Sequence, residues 1–141
     1  MQENISKRVL EAFQLTIDLA EKTNSKNLKS KLPNLKSNKI GEQFWCIIGA
    51  RESYLKAIQS GNWQGFGCSV ENRFSSDEIC TKLKESALAF EGLTQEKLSE
   101  KQLSFVLDLL THEVQHHGQL IRYCYALDIM FPKSWNQKYT V

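Results

Sequence analysis

The segment from Glu100 to Leu127 constrains the chain most, because its apolar residues recur at helical spacing without a break. Leu103, Val106, Leu107, Leu110, Val114, Ile121 and Cys124 form one stripe, and Phe105, Leu109, Leu120, Tyr123 and Leu127 a second flank beside it. Residues three and four apart stack on one face of a helix. A helix apolar over more than half its circumference must have neighbours on several sides. At about 1.5 Å per residue it is roughly 40 Å long.

Three further segments have the same period. Ile5, Val9, Ala12, Phe13, Ile17 and Ala20 predict a helix over 4–21, and Ile40, Phe44, Ile47, Ile48, Leu55 and Ile58 one over 38–60, with Ser37 as its cap. Ser75 and Glu78 have capping-box spacing and open a third helix over 76–91, striped by Ile79, Leu83, Ala87 and Phe90 and stopped by Gly92. Ser99 and Gln102 repeat that spacing and open the last helix, 99–128, which ends before Pro132 and leaves a short tail. Nothing alternates with period two long enough for a sheet. The fold class read from this pattern is all-α, an antiparallel up-and-down four-helix bundle, and 141 residues make it one domain over 1–141.

Charge and cysteines narrow the function classes. A net charge of +2 calls for no particular partner, and the lysines between Lys22 and Lys39 lack the aromatic company a nucleic-acid surface wants. No run approaches the length of a membrane span, and the N-terminus has no apolar leader segment. The expectation is a cytoplasmic protein with no nucleic-acid or membrane partner. Cys46, Cys68, Cys80 and Cys124 show no CxxC spacing and read as reduced thiols. The loop after Gly61 is rich in glycine and carries Trp63 and Phe66, aromatics expected to fold back over a core edge.

All three histidines fall between His112 and His117. His112 and His116 leave the same helix face one turn apart, a spacing that lets two imidazoles hold one cation. The run also fits HExxH, the zinc-peptidase pattern in which Glu113 would be the base. The extensions are missing, since Gln119 and Arg122 stand where a metzincin has Gly and His, and Asp128 is the only acidic residue after His116. Two imidazoles need a third ligand from another helix. Cys46 is the best candidate, because it lies off its own helix's apolar stripe on a side shared with Glu42, Gly49 and Ser53. Thiolate with two imidazoles is a catalytic zinc set with an open fourth position, where a water's pKa falls toward about 7. Glu42, one turn before Cys46, is the candidate catalytic base.

The stretch Gly41 to Glu52 resembles the second helix of the DinB-like (YfiT-like) metal-dependent hydrolase family. His112-x-x-x-His116-His117-Gly118-Gln119 is similar to that family's HxxxHRGQ signature, and Phe131-Pro132-Lys133-Ser134-Trp135 to its tail. The resemblance implies a four-helix bundle, a homodimer, and a divalent metal, zinc or nickel, held by three histidines; some relatives are thiol-dependent transferases. The breadth of apolar surface on the last helix points to the same dimer. Cys46 stands where the family has its first histidine, which implies a His-His-Cys site selective for zinc. His117 replaces the family's arginine, and Gln119 matches a position that can orient a ligand. Two function classes follow: a hydrolase or thiol transferase acting on a small molecule, or a non-catalytic bundle that keeps a degenerate site.

Overall fold

The computed structural model describes all 141 residues, and every regular element is a helix. Four are long: α1 Gln2–Lys22, α3 Ile40–Ser60, α4 Ser76–Leu93 and α5 Glu100–Ala126. Two short ones, α2 Ser25–Leu28 and α6 Lys133–Tyr139, lie in stretches that carry too few apolar residues for a helical period to be visible. No helix is long and apolar enough to cross a membrane.

The caps follow local chemistry. At α5 the Ser99 side chain accepts from the Gln102 N–H while Gln102 accepts from the Ser99 N–H. At α4 only half of the predicted box forms. Ser75 Oγ accepts from the Glu78 N–H, but the Glu78 carboxylate turns to the N–H groups of Glu71 and Asn72. Gly92 does not stop α4, which ends one residue later at Leu93. The cap of α3 is Lys39, with Glu42 Oε2 accepting its N–H, rather than Ser37, whose hydroxyl accepts from Leu32.

The long helices do not simply alternate in direction. Phe13 packs on Phe90 and Glu21 pairs with Lys84, so α1 and α4 are antiparallel. Gln43 meets His116 while Gln102 reaches the Ile58 carbonyl, so α3 and α5 are antiparallel as well. But Gln2 bonds to Leu98 and Thr16 to Glu113, which sets α1 and α5 side by side in the same sense. Likewise Arg51 reaches Leu83 and Ile58 shares a cluster with Phe90, so α3 and α4 are parallel. This corrects the up-and-down expectation, and the reason lies in the connection between α3 and α4. Two parallel neighbours need a link as long as the helix itself, and residues 61–75 supply it. They run as an extended strap back along α3: Ser53 binds Gly67, Glu52 binds Ser69, and Arg73 pairs with Glu42.

Apolar burial falls into two groups along the helices. One holds Leu19, Phe44, Ile47, Ile48, Leu83, Leu120 and Trp135; the other Val9, Phe13, Ile58, Phe90, Val106 and Leu109. Between them lie buried polar side chains from all four long helices: Thr16, Arg51, Ser86, Glu113 and His117.

The tail is part of the core rather than an appendage. Trp135 is fully buried and its indole N–H donates to the Leu15 carbonyl at 2.6 Å.

Candidate metal centre

Cys46 of α3 and His112 and His116 of α5 come together where these antiparallel helices cross, with ligand atoms all within 4.8 Å of one another. Cys46 Sγ lies 3.7 Å from His112 Nε2, and the two imidazole centroids are 4.6 Å apart. A tetrahedral zinc, with Zn–S about 2.3 Å and Zn–N about 2.0 Å, separates sulfur from nitrogen by about 3.5 Å. The thiol–imidazole distance therefore fits a shared ion without backbone movement. Cys46 and His112 are half-buried and His116 is 8% exposed, so the group is walled by protein on one side and open on the other.

The surroundings prepare the imidazoles for a cation. Gln43, one turn before Cys46 on the α5-facing side and 3% exposed, accepts from His116 Nδ1–H through Oε1 at 2.6 Å. That bond holds the ring and leaves the Nε2 lone pair for the site. Burial pushes His116 down to about 4, helped by the charges of His112 and His117 and opposed by Glu113. Burial lowers His112 too, against Glu113. Both rings are neutral at neutral pH, the form that binds metal. Burial raises the Cys46 thiol, so a metal must displace its proton. His112 Nδ1 is buried with no hydrogen-bond partner.

Glu42 is placed otherwise than a base would be. Its Oε2 caps α3 at Lys39 N, 2.8 Å away, and its Oε1 lies 3.7 Å from Arg73, so both oxygens are engaged outside the ligand group.

Glu113, the peptidase-pattern carboxylate, is fully buried and faces the polar layer. It pairs with Arg51 through two bonds, Nε to Oε2 at 3.1 Å and Nη2 to Oε1 at 2.5 Å. Burial alone would raise its carboxyl, but the charge and hydrogen bonds of Arg51, with His117 and Thr16, bring it below the usual value. Both oxygens of this ionised carboxylate are taken up by Arg51 and Thr16, so it is not free to serve a metal held by His112 and His116. Arg51 has further acceptors in Leu83 O, Ser86 Oγ and Phe13 O, and its guanidinium lies 3.7 Å over the Phe13 ring.

His117 has its role here and not at the metal. Tyr139 O–H donates to Nδ1 at 2.7 Å, Nε2–H donates to Thr16 Oγ1 at 2.7 Å, and Thr16 donates to Glu113. Burial holds His117 at about 4, which keeps it the neutral link this chain of donors requires. Gln119 is exposed on α5 and makes no hydrogen bond to the ligands.

Sequence reasoning did not single out Gln43, Arg51, Thr16 or Tyr139. The usable signal was a charge inside each apolar-periodic segment, Arg51 in α3 and Glu113 in α5, since such charges pair when buried.

Compared with known proteins, the chain matches no family model and no curated sequence.

Proposed function

We propose that the chain is a metal-dependent enzyme of the DinB-like kind, a four-helix bundle acting on a small molecule as a hydrolase or thiol-dependent transferase. The observation that carries this reading is the convergence of Cys46, His112 and His116 from two helices, with Gln43 orienting one imidazole. The ion is zinc: one thiol and two neutral imidazoles form a borderline-soft donor set that suits it. Zinc held there supplies an open fourth position at which a water or a substrate thiol is polarised. The chain's own part is to present three ligands, keep the histidines neutral, and leave one side open.

Metal analysis of protein purified without chelator tests the reading. It should find about one zinc per chain. His116→Ala should abolish binding with helicity retained, Cys46→Ser should weaken it severely, and Cys46→His should keep it. Protein that takes up neither zinc nor nickel in excess would end the proposal.

The functional unit is a homodimer on this reading. Leu107 and Val114, two turns apart on α5, are 46% and 43% exposed and offer a face for a second copy. Light scattering that finds only monomer at high concentration would refute it. A second reading, a non-catalytic binding protein, draws on the position of a surface cleft. That cleft, about 700 Å³, lies beside Ser6, Leu10 and Glu91 and includes none of the three ligands. Zinc-loaded protein without turnover of ester, amide or thiol-acceptor substrates would favour it.

A further inference from the structure

The strap of residues 61–75 carries a second cysteine toward the metal centre. Gly49 lies one turn beyond Cys46 on the same face of α3, and the strap fills the space its missing side chain leaves. A Cβ at residue 49 would collide with the Phe66 ring and stand 3.0 Å from the Cβ of Cys68. Side chains three apart on a helix have Cβ atoms about 5–6 Å apart, so Cys68 sits within reach of the Cys46 turn. Its thiol donates at 3.3 Å to the carbonyl of Trp45, the residue just before Cys46. Anchors on both sides hold it there. Ser53 bonds both the N–H and the carbonyl of Gly67, and Glu52 takes the N–H and hydroxyl of Ser69. The strap itself has no backbone–backbone hydrogen bond from residue 62 to 71, so it can shift locally without breaking an element.

We propose that Cys46 and Cys68 form a peroxide-responsive thiol pair whose joining releases the metal reversibly. The inference rests on the metal reading above. On the metal reading Cys46 would be the thiolate on the ion, and Cys68, whose S–H donates to the Trp45 carbonyl, the partner thiol. In the first step the Cys46 sulfur attacks a peroxide oxygen, the O–O bond breaks, and Cys46 becomes a sulfenic acid as hydroxide leaves. The Cys68 sulfur then attacks the sulfenic sulfur, the S–O bond breaks, and water departs with the thiol proton. In sum, one thiolate, one thiol and one peroxide give one disulfide, one water and one hydroxide. A disulfide sulfur is a poor ligand, and two imidazoles alone bind zinc weakly. A disulfide needs Cβ atoms about 3.5–4.5 Å apart, so the pairing requires the strap to bring Cys68 to that distance from Cys46. Cys46, Cys68 and Cys80 are all half-buried, but only Cys68 is held beside the Cys46 turn; Cys80 lies on α4, and Cys124 is 3% exposed.

The test treats zinc-loaded wild-type protein with excess hydrogen peroxide and follows zinc with a chromogenic chelator. Disulfide-linked peptides are mapped, and the protein is then reduced and offered zinc again. Expected are zinc release, a Cys46–Cys68 linked peptide, and near-complete recovery of zinc binding after reduction. Cys68→Ser and Cys68→Ala should bind zinc as the wild type does. Without a resolving thiol, Cys46 runs on to sulfinic acid, so after peroxide and reduction they should recover less than about a tenth of their zinc. Absence of the linked peptide, or variants that recover zinc as fully as wild type, would overturn the pair. Should the wild type never take zinc, the proposed function falls and release of metal with it. Mapping on the metal-free chain then judges the pair alone, and a missing link there removes it too.

Discussion

Glu113→Gln is the sharpest test of how the core is held. The substitution keeps the size of the side chain and removes its charge. Arg51 then has no anionic partner, yet its guanidinium remains fully buried with only neutral acceptors at Leu83, Ser86 and Phe13. An amide has one acceptor atom, whereas Arg51 and Thr16 together direct three donors at the two carboxylate oxygens. Wherever the amide NH2 points, it meets a donor. Breaking a buried pair from one side costs about 3–5 kcal/mol, a large share of the roughly 5–15 kcal/mol that holds a domain folded. The melting temperature should fall by roughly 10–20 °C. Urea denaturation followed by far-UV circular dichroism, in metal-free buffer at neutral pH, measures this. The double variant Arg51→Met with Glu113→Leu should recover most of the loss, ending within about 2 kcal/mol of wild type, because no unpaired charge is left inside. Thr16 and Ser86 keep partners in the Ala12 and Leu83 carbonyls. A single Glu113→Gln that costs under about 1 kcal/mol would refute the claim that this pair is desolvated and coupled.

Other sites give narrower tests. Gln43→Leu should lower zinc affinity about 10–100-fold with little change in fold, since it removes only the group orienting His116; an unchanged titration would deny Gln43 that role. Gly49→Ala should displace the strap, because a methyl collides with the Phe66 ring, costing about 1–3 kcal/mol and speeding limited proteolysis within residues 61–75; a fully stable variant would mean the strap does not lie there. Trp135→Ala should cost about 3–5 kcal/mol, since the side chain is wholly buried and bonded to Leu15; a cost near zero would mean the tail is undocked. Acid should destabilise the metal-free protein through His117, which titrates at 6.5 when free and about 4 in the fold. The unfolded chain binds that proton first, so stability is full above 6.5, falls between 6.5 and about 4, and levels below, by on the order of 3 kcal/mol. Denaturation midpoints for wild type and His117→Asn across that range check it, and equal slopes would refute it.

Where the four long helices form was decided by the sequence itself. Period-3.6 stripes bury one face whatever the topology, and Ser75 and Ser99 bind their own first turns. His112 and His116 share a face by helix geometry alone, and Cys46 and its small neighbours stand clear of the apolar stripe of α3 for the same local reason. How the helices run relative to one another was decided only in three dimensions. The direction of α3 and α4 depends on the strap binding Ser53 and Glu52, contacts no periodicity reports. The same holds for the polar layer. Arg51 and Glu113 are 62 positions apart, and nothing in the sequence says which charge each one meets. Gln43 and Glu42 are neighbours on one turn, and the sequence pointed to Glu42 because it stands one turn before Cys46. Packing chose otherwise: a rotation of about 100° per residue turns Gln43 toward His116 and sends Glu42 to the cap. Residue type and spacing are local properties, whereas which of two adjacent side chains meets a partner depends on where another helix has docked.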